Sequence, residues 1–266
     1  MAENLLSIRN LDIVYGKNKT LAVEDFNLEV GHSQIVCIVG ESGSGKTSVI
    51  RSIMGLLSSS GKISRGDILF EGRSLLTLTK DQWQALRGTE LSMIFQDSRA
   101  MINPIRKIGT QFIEYIRTHE PMPGEQARKR AVDMLAKMQL PDAESIMDRY
   151  AFQLSGGMCQ RVGIAMAMTF LPKLLLADEP TSALDVTIQM QIVKQIMELR
   201  KRFNTAVIVV THNIGVAAYM ADHLIVMQNG KVVDQGTREE VLFSPKSDYT
   251  KNLLAAVPEI GGKRYV

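Results

Sequence analysis

The chain has 266 residues, with 31 Lys and Arg against 28 Asp and Glu, a formal net charge of +3. That balance is too small to argue for nucleic acid or an anionic membrane surface as partner, and no apolar run approaches the ~18 residues of a membrane span. Hydrophobic content of 45% and charged content of 22% are those of an ordinary globular protein, long enough for one large domain or two lobes. Met1-Ala2-Glu3-Asn4 lacks the basic residues and apolar core of a signal peptide. Cys37 and Cys159 are too few for a cluster or a zinc site. Cys37 falls in an apolar run, where a small buried hydrophobe is expected. Together these features predict a cytoplasmic chain.

Residues 4–30 alternate with period two, as in Leu6-Ser7-Ile8-Arg9 and Phe26-Asn27-Leu28-Glu29-Val30, which predicts an antiparallel sheet with one wet face. Tyr15, beside Gly16 in a turn-like segment, reads as packing or as a ligand contact. Gln34-Ile35-Val36-Cys37-Ile38-Val39 is then a buried strand, and Ser48 to Met54 repeats apolar residues at helical spacing. Between them lies Gly40-Glu41-Ser42-Gly43-Ser44-Gly45-Lys46-Thr47, a match to G-x-x-x-x-G-K-[ST]. Strand, glycine loop and helix are the context this phosphate-binding motif demands. The glycines let backbone N–H groups turn inward around phosphate oxygens, and the helix N-terminus adds its positive dipole. Lys46 is predicted to reach the β- and γ-phosphates and the Thr47 hydroxyl to ligate Mg²⁺, with Gly40 to Ser48 as the cradle. The bland alternative is a chance glycine turn.

Beyond the first helix, Gly66 to Gly72 reads as a strand closing in a turn, Asp81 to Leu86 as a short helix, and Leu91 to Phe95 as a strand ending on Gln96. After a phosphate loop, such a glutamine can orient an attacking water or complete a Mg²⁺ shell. Residues from about 106 to 148 are helical in pattern, broken by Pro121, Pro123 and Gly124, and form an insertion. Arg128-Lys129-Arg130 within it is expected to be a solvated helix face. Leu154-Ser155-Gly156-Gly157-Met158-Cys159-Gln160-Arg161 leads into a helix expected over Val162 to Leu171. Ser155, Gly156 and Gly157 at a helix start are either a second anion site or an ordinary loop and cap.

Leu174 to Ala177 is a core strand that delivers Asp178 and Glu179 to the sheet's C-terminal edge, where open α/β sheets bind ligands. Asp178 suits a Mg²⁺ role and Glu179 a water-activating one; the alternative is acids that merely end a strand. Asp185 then precedes a helix, Val186 to Lys201, and can be a plain first-turn acid. Ala206 to Val210 is a further parallel-type strand ending on Thr211-His212, where His212 is structural or donates to a γ-phosphate oxygen. Leu224 to Met227 and Lys231 to Asp234, around Asn229-Gly230, signal a hairpin. Thr237-Arg238-Glu239-Glu240 is a capping box.

These motifs, in this order and on these elements, resemble the nucleotide-binding subunits of ATP-binding cassette transporters over nearly the whole chain, most specifically at Leu154 to Arg161. The resemblance implies an α/β fold: a P-loop NTPase core with a mainly parallel sheet, an N-terminal antiparallel β subdomain and an inserted α-helical subdomain. It implies a single domain over 1–266, with the core at about 1–96 and 166–240, the helical subdomain at about 97–165 and a short C-terminal helical segment at about 238–266. It also implies ATP and Mg²⁺ as ligands and two cassettes packed head to tail, the Ser155-Gly156-Gly157 segment of one gripping the γ-phosphate held by the other. Tyr15 is expected to stack on adenine, Gln96 to be the lid glutamine, Asp178 to support Mg²⁺ and Glu179 to polarise the attacking water. His212 is expected to sense the γ-phosphate and Asp185 to lie at the dimer seam.

Ile94-Phe95-Gln96-Asp97, Ile102-Asn103-Pro104 and the ending Ser244 to Pro258 resemble the dipeptide, oligopeptide and nickel importer group. The implied partners are a second, different ATPase chain, two integral-membrane permease subunits and, indirectly, an extracytoplasmic solute-binding protein, with the chain peripheral on the cytoplasmic face of the membrane. Nucleic acid is not among them; the competing function is a soluble cassette ATPase acting on nucleic acid or ribosomes. Cys159, Asn213 and the extra residues between Pro245 and Tyr249 depart from the group's pattern. The missing C-terminal cysteine cluster leans toward nickel or metal-chelate members.

Overall fold

The computed structural model describes residues 4–182, 184–256, 259–260 and 263–264. Met1-Ala2-Glu3, Ala183 and Val257-Pro258 lie outside the described residues. The chain packs as two compact units, Met1–Thr79 with Asn204–Val266, and Lys80–Phe203.

In the first unit the alternating N-terminal segments form the antiparallel pair Leu6–Tyr15 and Thr20–Val30. Gly61–Phe70 adds to the other edge of Leu6–Tyr15, followed by the short Arg73–Ser74. The third strand begins earlier than the Gly66 expected from pattern. Gly66, at φ +91°, lies against the Arg9 and Asn10 carbonyls where the register shifts, so the strand carries an irregularity there. The fully apolar Ile35–Val39 is buried throughout and pairs in parallel with Ala206–Thr211 on one side and His223–Gln228 on the other. Continuous apolar runs suit strands covered on both faces, as alternation suits those covered on one. His223–Gln228 then folds back antiparallel onto Lys231–Thr237. The Thr237 and Glu240 capping box opens the helix Arg238–Phe243. Within the C-terminal segment expected to be helical, Asp248–Ala255 is the last helix among the described residues, and Glu259–Ile260 pairs antiparallel with Lys263–Arg264.

The second unit is wider than the helical insertion alone, because the strands Leu91–Ile94 and Leu174–Asp178 pair in parallel within it. The helix Ile108–His119 buries Ile108, Phe112 and Ile116 at i, i+4 and i+8, and packs on Gly124–Lys137, which buries Ala127, Ala131 and Met134. The basic run on Gly124–Lys137 is more than a solvated face. Arg128 bridges Glu144 (2.7 Å) and Asp148 (3.0 Å), while Arg130 pairs with Glu120 at 2.5 Å and lies 4.6 Å over the Phe170 ring. Guanidinium groups reach carboxylates on neighbouring elements wherever the fold supplies them, which a run of three charges cannot reveal.

The helix expected over Val162 to Leu171 is also displaced, spanning Gly156–Ala167. Ser155 is its N-cap and accepts a hydrogen bond from the Met158 amide, so the glycines form the first turn instead of a preceding loop. Leu171, at φ +51° and followed by Pro172, cannot continue it.

Candidate functional site

In the first unit the strand Ile35–Val39 runs into a loop whose shape depends on glycine at two places. Gly40 has φ +152°, and a Cβ there would run into the Met227 carbonyl; Gly45 has φ +101°, and a Cβ would lie 2.6 Å from the Ala22 carbonyl oxygen. Gly45 is the N-cap of Lys46–Ile53 and contributes no side chain to its first turn, so the backbone N–H groups there are the positive end presented by the helix. Lys46 is 4% exposed. Its Nζ donates to the Gly40 carbonyl (2.8 Å), the Glu41 carbonyl (2.6 Å) and Ser44 Oγ (3.2 Å). An ammonium donating to oxygens of the loop itself builds a hydrogen-bonding cation into that loop, which suits anion binding.

Tyr15 ends its strand at the edge of this loop. Its ring lies flat against the paired Gly61, where a Cβ would approach Cε1 to 2.5 Å, and its hydroxyl is 3.0 Å from Ser48 Oγ. His212 follows Thr211, and the parallel register pairs Thr211 with Val39, the residue before Gly40. Register therefore carries His212 and the phosphate loop to the same strand ends. Asn213, one of the departures noted above, is the N-cap of Ile214–Met220 and accepts from the Val216 amide at 3.2 Å. Asn caps as well as Asp.

In the second unit Ile94 pairs with Ala177. Gln96 and Glu179 each lie two residues beyond that pair, on the same edge, and Gln96 Nε2 donates to Glu179 Oε2 at 3.3 Å. Asp178, 3% exposed, is the last residue of its strand. Glu179 takes φ +45°, a left-handed conformation uncommon for a side chain of its length. Its carbonyl accepts from both the Ser182 amide and the Ser182 hydroxyl at 3.2 Å, which locks the turn that aims the carboxylate.

The Ser155-Gly156-Gly157 turn makes a separate cluster in this unit. A Cβ on Gly156 would touch Leu184 at 3.8 Å, and one on Gly157 would lie 2.8 Å from Ile188 Cγ2. Asp185 caps the helix Val186–Phe203, accepting from the Ile188 amide at 3.0 Å. The Ser155-Gly156-Gly157 turn and the Asp185 turn thus pack together. Cys159 faces away from that turn: it is buried, its thiol lies 3.4 Å from the Ala151 carbonyl, and burial raises its pKa. One further residue meets the phosphate loop. Tyr249 Oη accepts from the Glu41 amide at 3.0 Å, a contact between residues 208 apart that no local pattern signals.

The oxygen donors named for a metal are the Thr47 hydroxyl, the Asp178 carboxylate and the Gln96 amide. Among the described residues no three His, Cys, Asp or Glu side chains gather as a metal cage. Carboxylate, hydroxyl and amide oxygens are each ligands of the kind Mg²⁺ takes beside waters and phosphate oxygens. No helix among the described residues is long and apolar enough to cross a membrane.

Residues 23–182 match the family described as ABC transporter. The chain is 41% identical over 263 residues to the dipeptide transport ATP-binding protein DppD of Lactococcus lactis subsp. cremoris, covering 97% of this chain and 75% of that protein. It is 42% identical over 260 residues to the oligopeptide transport ATP-binding protein OppD of Bacillus subtilis, covering 96% and 72%. Among solved structures, a dimeric ATP-binding cassette in a post-hydrolysis state, bound to ADP and Pi, superposes with a TM-score of 0.77 at 28% identity over 88% of this chain and 98% of that one. The chain belongs to the ABC transporter family.

Proposed function

We propose that this chain is the ATP-hydrolysing subunit of an importer for peptides. The observation that carries the reading is the pairing of a glycine-shaped phosphate loop around a buried Lys46 with relatives named for dipeptide and oligopeptide transport along almost the whole chain. Those names favour a peptide over nickel or a metal chelate, and favour transport over action on nucleic acid or ribosomes.

In this reading the phosphate-loop amides and Lys46 hold the β- and γ-phosphates, and Tyr15 stacks on the base. Thr47, Asp178 and Gln96 provide oxygens for Mg²⁺, which when bound offsets phosphate charge. Glu179 orients water and accepts its proton, Gln96 steadies that carboxylate, and His212 donates to a γ-phosphate oxygen. Ser155, Gly156, Gly157 and Asp185 belong to the face that meets a second cassette, where a Ser hydroxyl and helix N–H groups are suited to the facing γ-phosphate. The partners are a second ATPase chain and two permease subunits on the cytoplasmic face of the membrane, with a solute-binding protein acting through them.

The test is reconstitution of the complete complex in vesicles with its solute-binding protein. Hydrolysis stimulated by a peptide-loaded binding protein is expected. Stimulation by nickel chelates alone, or recovery of the chain on ribosomes in place of membranes, overturns the reading.

A further inference from the structure

Tyr249 lies on the last helix, Asp248–Ala255, far from the phosphate loop in sequence. It is held by a short chain of contacts. Asp234, 6% exposed on the strand Lys231–Thr237, accepts from the Lys246 amide (2.8 Å) and the Ser247 amide (3.2 Å). Ser247 caps the helix, accepting from the Tyr249 amide at 3.1 Å. The extra residues before Tyr249 are therefore anchored to a buried carboxylate, and the anchored segment brings the Tyr249 hydroxyl to the Glu41 amide.

The peptide group joining Gly40 and Glu41 is gripped at both ends. Its N–H donates to Tyr249 Oη and its carbonyl accepts from Lys46 Nζ. Hydrogen bonds at the two ends of one amide polarise it in the same sense and strengthen each other. They also fix the plane of a peptide that follows Gly40, a residue whose backbone has unusual freedom to rotate. The next carbonyl, of Glu41, accepts from Lys46 as well, so the orientation of this one segment sets where the ammonium stands.

We propose that Tyr249 is a positioning residue for nucleotide binding, acting through the Gly40–Glu41 peptide on Lys46, so that the C-terminal helix tunes affinity for ATP. The functional half of this rests on the nucleotide reading given above; the structural half does not.

The test is Tyr249→Phe in the full chain, which keeps the ring and removes the hydroxyl. Loss of one net hydrogen bond predicts about three- to fivefold weaker binding of Mg-ATP, little change in kcat, and faster hydrogen exchange at the Glu41 amide. Asp234→Asn loosens the anchor and should give a similar loss that does not add to Tyr249→Phe in a double-mutant cycle. Lys251→Ala, whose side chain pairs with Asp248 on the same helix, should change neither readout. Unchanged exchange at Glu41 or unchanged ATP affinity in Tyr249→Phe overturns the proposal. If the unsubstituted chain fails to bind Mg-ATP, the nucleotide reading fails, while the Glu41 exchange still decides whether Tyr249 holds the loop.

Discussion

Gln96 and Glu179 lie 83 residues apart, yet Gln96 Nε2 donates to Glu179 Oε2 at 3.3 Å because each extends two residues beyond the paired Ile94 and Ala177. The contact gives the carboxylate a neutral partner. An amide donor orients a carboxylate without cancelling its charge, as an Arg or Lys would. In the function proposed above Glu179 is the base, and it stands on a turn closed by the Ser182 amide and hydroxyl.

Glu179→Gln keeps the size and loses the proton-accepting charge. It is expected to lower kcat by at least about 100-fold, the low end of what a general base contributes, while Mg-ATP binding by calorimetry stays near that of the unsubstituted chain. Lys46→Ala should instead lose the binding itself. Near-normal turnover in Glu179→Gln would remove Glu179 from the reaction.

Tyr15 and Gly61 form the second pair to test. Tyr15→Ala is expected to weaken ATP binding by about 1 kcal/mol, the scale of a good aromatic contact. Gly61→Ala, which leaves the Tyr15 side chain intact, forces the ring off its seat because the new Cβ falls 2.5 Å from Cε1. It should reproduce much of the loss. Fluorescence titration with ATP measures both, and unchanged affinity in both variants would return Tyr15 to a packing role.

The Asn213 cap yields a stability prediction. Asn213→Ala leaves the Val216 amide without its acceptor and should cost about 1 kcal/mol, whereas Asn213→Asp should cost little. Urea unfolding compares the three chains. Equal midpoints for the Ala and Asp variants would show that the cap contributes nothing.

Two histidines make stability depend on pH. Burial lowers the pKa of His119, whose ring packs edge-on against Tyr115 and Phe170. Burial also lowers that of His223, with nearby Glu240 opposing the shift. Each folded pKa lies below the unfolded value of about 6.5, so below that pH the unfolded chain binds more protons. The contribution of these residues is complete above about pH 6.5 and is lost as pH falls through the unfolded and then the lowered folded values. His119→Gln should flatten the fall in urea midpoint between about pH 6.5 and 5, and an NMR titration of His119 should have its midpoint below 6.5. A midpoint at or above 6.5 would count against it.

How much of this was legible in the chain itself follows the range of the forces involved. Alternation in Phe26 to Val30 and the unbroken apolar run Ile35 to Val39 reported strands covered on one face and on both, because burial acts on each side chain separately. Gly40 to Thr47 announced a phosphate loop, and Thr237 to Glu240 a helix start, because those hydrogen bonds close within a few residues. The same locality made Ser155 ambiguous: a cap and an anion site use one residue pattern, and the glycines proved to lie inside the helix.

Contacts across long separations were another matter. The bridges from Arg128 and Arg130 to acids on other elements, the Gly61 seat under Tyr15 and the meeting of Gln96 with Glu179 all depend on strand register and helix packing. Tyr249 on the Glu41 amide is the extreme case. A lone tyrosine near the C-terminus has no spacing or composition to mark it, since what matters is which peptide group stands in front of its hydroxyl. The sequence by itself determined which residues can bind phosphate, take up a proton or cap a helix. Tertiary structure alone decided which of them meet, because a hydrogen bond depends on angstroms and angles that only the packed backbone sets.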